Sequence, residues 1–186
     1  DAHFLAPGRW LSDGSINFYT FIMQQENDKF VVQGLCGVVC FDSVFVQNLW
    51  FAGGMEKAAP KYDFKKARPW SVKHARVDLF AYRRWVIPIN VGNNTHWIAM
   101  VVDTHERSIT VYDSLGKGYG AVAEAVRRFV IDEYEDKRQS RMTEEEKAKW
   151  HIVSRPPQPS PRQTNAVDCG AFCCANLAYL ADPRRF

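Results

Sequence analysis

Residues 163–170 read QTNAVDCG, and the mainly apolar run AFCCANLAYL follows directly at 171–180. No Pro or Gly interrupts that run, so a helix is predicted to begin at Cys169. The free N–H groups and the macrodipole at a helix N-terminus favour an anion, which makes Cys169 a candidate nucleophile. Its own N–H and the side-chain amide of Gln163 are candidate donors to an oxyanion. The competing interpretation is an unreactive cysteine packed in the helix.

A candidate base and carboxylate lie upstream, in a predicted sheet. Segments rich in β-branched and aromatic residues predict strands at 84–90, 97–103 and 108–113. The short connection between the last two predicts a hairpin, with Asp103 opposite Ser108. That register brings His96, at the start of one strand, next to Asp113, at the end of its partner. Cysteine, histidine and aspartate would then supply a nucleophile, a base and the group that orients the base.

Helices are predicted to pack around this sheet. Ser12 or Asp13 caps a first helix that runs to about Gln25, with its large apolar residues facing the core: Ile16, Phe18, Tyr19, Phe21, Ile22 and Met23. Three further helices are predicted, over about 42–53, 121–138 and onward from Thr143, the last with a capping box to Glu146. A short strand is predicted at 151–154. Residues 55–75 lack periodicity and are interpreted as a surface insertion with a turn at 68–70.

Composition excludes several classes of protein. The chain has 186 residues, of which 46% are hydrophobic and 13% aromatic, so residues 1–186 are expected to form one domain, excised from a longer protein. Basic and acidic residues are interspersed and the net charge is only +3, so no nucleic-acid partner is expected. No apolar run is long enough for membrane insertion. Five cysteines without paired spacing indicate a reducing compartment rather than a disulfide framework.

The sequence also offers two rival sites. GKGYGA at 116–121 matches the dinucleotide-binding fingerprint, but the strand before it belongs to a hairpin, which favours an ordinary flexible loop. The cysteines are candidate ligands of a zinc site, yet no two of them have the C-x-x-C spacing. This favours cysteine side chains that are simply packed in the core. The cysteines concerned are Cys36, Cys40, Cys169, Cys173 and Cys174. We therefore expect no metal.

The chain resembles the ubiquitin-like-protein-specific cysteine proteases, also called SUMO or sentrin proteases. The resemblance rests on seven short motifs. They are WLSD (10–13), INFY (16–19), RPW (68–70), IPI (87–89), HW (96–97), YDSL (112–115) and QTNAVDCG (163–170). It implies an α+β, papain-like cysteine protease fold, with a central mixed β-sheet packed against the helix that bears the nucleophile. The segment before His96 is longer than is usual in the family, at a surface that contacts the modifier.

The resemblance also implies roles for particular residues. Its catalytic residues would be His96 as base, Asp113 as orienting carboxylate, Cys169 as nucleophile and Gln163 as oxyanion donor. Its substrate-binding residues would be Trp10, Asp13, Trp97 and Gly170. The two indoles would form a tunnel too narrow for any residue with a side chain, which selects a diglycine tail.

The implied activity is hydrolysis of the Gly-X peptide or isopeptide bond after the diglycine C-terminus of SUMO or a related ubiquitin-like modifier, in precursors or conjugates. No cofactor is implied, and a monomer located in the nucleus or at the nuclear envelope is expected, with the cytoplasm as the alternative. Two other functions stay open. One is a deubiquitinase or deneddylase of the same fold, and the other is a non-catalytic module that only binds ubiquitin-like proteins.

Overall fold

The computed structural model describes residues 6, 8–32, 37–51, 61–74, 78–92, 95–153 and 161–185. The helices in these ranges are α1 (Asp13–Val32), α2 (Val44–Asn48), α3 (Phe64–His74), α4 (Gly120–Arg138), α5 (Glu144–Lys149) and α6 (Cys169–Ala181). The strands are β1 (Val38–Cys40), β2 (Trp50–Phe51), β3 (Lys61–Tyr62), β4 (Arg84–Val91), β5 (His96–Asp103), β6 (Ser108–Tyr112) and β7 (His151–Val153).

The main sheet is mixed and has the order β1-β4-β5-β6-β7, while β2 and β3 form a separate antiparallel pair. The central strands β4, β5 and β6 are antiparallel to one another, and β1 and β7 join the two edges in parallel. Helices and a mixed sheet in one chain confirm the predicted α+β class.

Both faces of the main sheet are covered. Alternate β5 residues, such as Ile98 and Met100, join a core that includes α4, while Ala99 and Val101 join a second core that includes α6. A strand that is buried on both faces carries few polar residues, which explains the nearly continuous apolar runs of β4 and β5. The sheet is thus held rigidly between layers of helices, and its strand ends are fixed in space.

Most predicted elements are confirmed. The hairpin pairs Asp103 with Ser108, as the short connection predicts. Helices α4 and α6 begin within a residue of the expected positions. The capping box between Thr143 and Glu146 is present at the start of α5, and β7 lies within the predicted 151–154 segment.

The predicted core face of α1 is only partly right. Ile16 and Met23 are buried, but Phe18 and Phe21 are 65% and 57% exposed, and Ile22 is exposed as well. The buried face of α1 instead includes the polar residues Thr20 and Asn27. Their burial is tolerated because Thr20 donates to the Asn17 carbonyl and Asn27 to the Met23 carbonyl within the same helix. The helix also continues to Val32, well beyond Gln25.

The interpretation of 55–75 as an insertion with a turn at 68–70 is wrong for the residues described, because α3 spans that turn. Ala67 and Ser71, one helical turn apart, are fully buried, so α3 is part of the core despite Pro69. Residues 55–60 lie outside the described residues, as does the expected helix end at 53. Helix α2 ends earlier, at Asn48, and β1 was not predicted at all.

The described residues contain no helix with both the length and the apolar character that crossing a bilayer requires.

Candidate active site

The ends of two strands bring a histidine and a carboxylate together. The β5–β6 ladder ends at the Ala99–Tyr112 pair, and beyond it His96 and Asp113 converge. The His96 Nε2 atom lies 2.7 Å from Asp113 Oδ1, and both side chains are buried. The neighbourhood predicted from the hairpin register is therefore confirmed.

Asp113 is held in its ionised form by the loop that follows it. The N–H of Leu115 donates to Oδ1 at 2.9 Å and the N–H of Lys117 to Oδ2 at 2.6 Å. Burial by itself would raise the pKa of Asp113, but His96 and these two N–H groups outweigh it and lower the pKa. Gly116, with φ of +69°, gives the loop the left-handed turn that brings both N–H groups round.

Those contacts also explain the Gly-rich segment. The N–H groups of Leu115, just before the segment, and of Lys117, within it, both donate to the Asp113 carboxylate, and α4 begins at Gly120. Tyr119, between the glycines, stacks on the His96 ring with 6.2 Å between centroids. The segment therefore supports His96 and Asp113, in place of the phosphate-binding role that its spacing suggested.

Cys169 opens α6, as predicted, and its side chain is buried. Burial would raise the pKa of this thiol. The hydrogen bond and charge of His96, together with the N–H groups of Trp97 and Gly170, more than offset that effect, so the pKa of Cys169 is lowered overall. The thiol is thus the acidic member of a pair with His96.

The pKa of His96 moves the other way. Burial would lower it, but the hydrogen bonds and charges of Asp113 and Cys169 raise the pKa to about 9. Because Nε2 is bonded to Asp113, Nδ1 is the ring nitrogen left to face the thiol. The lowered pKa of the thiol and the raised pKa of the imidazole both favour transfer of the thiol proton to His96, which is the direction that activates a cysteine.

A cavity of about 260 Å³ is lined by Cys169 and by three of the four predicted substrate-binding residues. Its lining is Trp10, Leu11, Ser12, Asp13, Asn90, Thr95, Trp97 and Cys169. Both indoles are anchored, because Trp10 Nε1 donates to the Ala166 carbonyl at 2.8 Å and Trp97 Nε1 to that of Leu11 at 3.0 Å. A nucleophilic thiol in the wall of a cavity lined by two indoles can attack an extended chain that binds there.

Asn90 was missed by the sequence analysis. It is buried in the cavity wall, where its Nδ2 lies 3.4 Å from Asp13 Oδ1 and its own Oδ1 has no hydrogen-bond partner among the described residues. A buried amide oxygen without a donor is costly, so it is suited to accept an N–H from a bound chain. The signal was an isolated polar residue at the end of an otherwise apolar strand.

Gln163 lies beside the loop that holds Asp113. Its N–H donates to the Ser114 carbonyl at 3.2 Å, and its Oε1 accepts from the Ser114 hydroxyl at 2.5 Å. Its Nε2 donates to the Asn165 carbonyl at 2.7 Å. The role of Gln163 as an oxyanion donor stays a prediction.

Gly170, the fourth predicted substrate-binding residue, packs against the cavity wall. A Cβ at this position would lie 2.8 Å from the Cβ of Leu11, which is fixed to the backbone and cannot rotate away. Glycine therefore allows α6 to pack closely against the residues before α1.

We expect Gly170→Ala to lower the free energy of unfolding by about 1–3 kcal/mol, because Leu11 must move with its backbone. Urea denaturation measures the change. Gly14→Ala is the matched control, since its Cβ would meet only Ser12 Oγ at an ordinary 3.7 Å. Equal stability of the two variants would contradict the close packing described for Gly170.

The other cysteines that the structure describes lie in secondary structure and have free thiols. Cys40 is buried in β1, and Cys173 is buried in α6, where its thiol donates to the Ile98 carbonyl at 3.3 Å. Cys36 lies outside the described residues. Across the residues that can be described, no three or more His, Cys, Asp or Glu side chains are grouped so as to hold a metal ion.

Comparison with known proteins agrees with this geometry. The model of the family described as "Ulp1 protease family, C-terminal catalytic domain" matches residues 9–186. The chain belongs to the Ulp1 protease family. The resemblance stated from the sequence is thus confirmed.

Curated members of the Ulp1 family match almost the whole chain. Human sentrin-specific protease 2 is 27% identical over 181 residues, which are 97% of this chain and 27% of that protein. Ubiquitin-like-specific protease 1 of Saccharomyces cerevisiae is 27% identical over 179 residues, 94% of this chain and 24% of that protein. The chain therefore spans about a quarter of the length of these relatives.

Solved structures from the Ulp1 family share the fold. The C-terminal Ulp1 protease domain in complex with Smt3, the yeast ortholog of SUMO, superposes with a TM-score of 0.67 at 26% identity. That match covers 96% of this chain and 69% of the solved one. A de-sumoylating protease superposes with a TM-score of 0.75 over 100% of this chain and 68% of its own, at 21% identity. These matches confirm the papain-like cysteine protease fold.

Proposed function

We propose that this chain is a thiol protease that hydrolyses the bond after the diglycine C-terminus of SUMO or a related ubiquitin-like modifier. The observation that carries the proposal is the arrangement of Cys169, His96 and Asp113 at the end of the cavity between Trp10 and Trp97. The names of the relatives, and the solved Ulp1 complex with Smt3, support SUMO as the modifier. The predicted single domain, the monomeric state and a nuclear location belong to the same proposal.

In the proposed reaction, the Cys169 thiolate attacks the carbonyl carbon of the last glycine and forms a tetrahedral oxyanion. The Cys169 N–H and the Gln163 side-chain amide donate to that oxyanion. The imidazolium of His96 then gives its proton to the leaving amine, and the C–N bond breaks to leave a thioester. A water molecule then gives one proton to His96 as its oxygen attacks the thioester. The C–S bond breaks, which restores the thiolate–imidazolium pair and releases the glycine carboxylic acid, and that acid loses its proton to solvent.

Access to the cavity accounts for selectivity. Trp97 is buried and Trp10 is 44% exposed, and the hydrogen bonds of their Nε1 atoms hold both rings in place. Residues without a side chain can pass between two fixed indoles, whereas a Cβ would meet the rings. Asp13 and Asn90, in the same wall, are placed to bond to the backbone of the bound glycines.

The proposed function is tested with fluorogenic amides on the diglycine ends of SUMO, ubiquitin and a NEDD-type modifier. We expect turnover of the SUMO substrate with a kcat/KM at least about tenfold above the others. Preference for ubiquitin or the NEDD-type substrate would favour a deubiquitinase or deneddylase. Binding of SUMO without turnover of any substrate would favour the non-catalytic module and overturn the proposal.

We expect a bell-shaped dependence of kcat/KM on pH. As pH falls through the lowered pKa of Cys169, the thiol becomes protonated and the rate is lost. As pH rises through about 9, the imidazolium of His96 loses its proton and can no longer protonate the leaving amine. Rates measured between about pH 5 and pH 10 define both limbs.

Asp113→Asn moves the basic limb of that profile to lower pH, because the carboxylate is a major reason that the pKa of His96 is raised. A limb that stays near 9 in this variant would show that His96 is not the group titrating there.

A further inference from the structure

Ser114 has no role in the reaction described so far, although its position is unusual. It directly follows Asp113, its side chain is 2% exposed, and its hydroxyl donates to Gln163 Oε1 at 2.5 Å. A buried hydroxyl with so short a bond to one partner is a fixed part of the site. We propose that Ser114 is a positioning residue, whose hydroxyl holds the Gln163 amide with Nε2 directed away from Ser114, so that one of its N–H groups can donate to the oxyanion.

The orientation of the amide follows from its two neighbours. A serine hydroxyl can donate or accept, so by itself it would tolerate either end of the Gln163 amide. The Asn165 carbonyl, however, can only accept, and it lies 2.7 Å from Nε2. Nε2 is therefore the donor end, and Oε1 must face Ser114, which has to donate. One N–H of Nε2 is bonded to Asn165, and the second remains for an oxyanion.

Further hydrogen bonds hold the backbone of Asp113 and Ser114 next to Arg162 and Gln163. The Gln163 N–H donates to the Ser114 carbonyl at 3.2 Å, and Arg162 Nη1 lies 3.3 Å from the Asp113 carbonyl. The Arg162 guanidinium occupies the space that a Cβ at Gly116 would fill. Among the described residues, three hydrogen bonds thus join Arg162 and Gln163 to the loop after β6, and of these three only the bond from the Ser114 hydroxyl ends on the Gln163 side chain.

Two consecutive residues, Asp113 and Ser114, thus orient two different parts of the site. Asp113 bonds to His96, and Ser114 bonds to Gln163, so one short loop orients both the base and the proposed oxyanion donor. The inference rests on the proposed function, because it gives Gln163 the role of donor. A donor that is held before the reaction starts does not have to be reoriented in the transition state, which is where preorganised sites gain rate.

The first test is kinetic. We expect Ser114→Ala to lower kcat by about 10- to 100-fold with little change in KM, somewhat less than the loss of a whole oxyanion donor. Ser114→Thr, which keeps the hydroxyl, should recover at least part of the lost kcat. Ser71→Ala is the matched control, because it removes an equally buried hydroxyl that bonds to the Arg68 carbonyl in α3, and it should leave kcat unchanged.

Two further measurements separate positioning from a general structural effect. Alkylation of Cys169 by iodoacetamide forms no oxyanion, so Ser114→Ala should not slow it. Ser114→Ala should also have no further effect in a Gln163→Ala background, since the residue it positions is already absent. Slower alkylation in proportion to turnover, or independent and multiplicative effects of the two substitutions, would overturn the inference.

The inference can fail separately from the proposed function. If wild type turns over the SUMO substrate and Ser114→Ala does so equally well, the function stands and the inference is wrong. If wild type turns over nothing, NMR of the Gln163 side-chain amide still decides the positioning. An Nε2 group that ¹⁵N relaxation shows to be ordered in wild type and mobile in Ser114→Ala supports it, and identical relaxation in the two proteins contradicts it.

Discussion

Cys169→Ala is expected to lower kcat/KM for a diglycine amide substrate by at least about 10⁴-fold while the substrate still binds. The substitution removes the attacking thiolate but leaves the cavity walls and their anchored tryptophans in place. Turnover assays give the rate, and calorimetry or fluorescence anisotropy gives the affinity for the modifier. The variant should therefore trap an intact complex.

Cys174→Ala is the matched control for this result. Cys174 lies in the same helix, but burial raises the pKa of its thiol to about 11, so it stays protonated and unreactive near neutral pH. Its removal should leave turnover unchanged. If Cys174→Ala and Cys169→Ala lost activity to the same extent, the loss would come from the packing of α6, and the role given to Cys169 would be wrong.

His96→Gln is expected to lower kcat by about 10³- to 10⁴-fold and to raise the pKa of Cys169. Both the hydrogen bond and the charge of His96 contribute to lowering that pKa, so their loss returns the thiol toward an ordinary, protonated state. The rate of Cys169 alkylation as a function of pH measures the shift, separately from turnover. The turnover rate and the pH dependence of alkylation then both report on the role of His96.

His105→Gln is the control for this variant, because His105 lies exposed in the β5–β6 hairpin turn at the opposite end of the strand that begins with His96. It should change neither turnover nor alkylation. An unchanged pH profile of alkylation in His96→Gln would contradict the thiolate–imidazolium pair, even if turnover were lost.

The site was more predictable than the fold around it, and the reason is local geometry. A four-residue connection fixes the register of a hairpin, and the register alone places His96 beside Asp113. The start of α6 is marked by an unbroken apolar run after Cys169, so the helix position of the nucleophile could also be predicted. Both features depend on residues close together in sequence.

The errors concern elements whose structure depends on distant contacts. β1 has only three residues and exists because it pairs with β4, more than forty residues later in the chain. Helix α3 contains Pro69, yet it is held against α4 by the bond from Arg68 to Asp136 and by burial of Ala67. Neither stabilising contact leaves a periodic pattern that can be read locally.

The contacts that support the proposed catalytic side chains could not be predicted from the sequence either. Ser114 and Tyr119 touch Gln163 and His96 only because the loop after β6 folds back across the strand ends. Asn90 reaches Asp13 across the cavity in the same way. Composition and spacing predict which groups react, whereas the contacts that orient those groups depend on the tertiary structure.

The central claim is that Cys169 is an activated nucleophile at the end of a diglycine-selective cavity. It is tested most directly by incubating the protein with SUMO that ends in Gly-Gly and a C-terminal vinyl or alkyne electrophile, followed by intact-mass measurement and peptide mapping. We predict one adduct, on Cys169, that is absent in Cys169→Ala and undiminished in Cys174→Ala. A folded protein that forms no adduct, or one that is modified at Cys174 or Cys40 instead, would contradict the account.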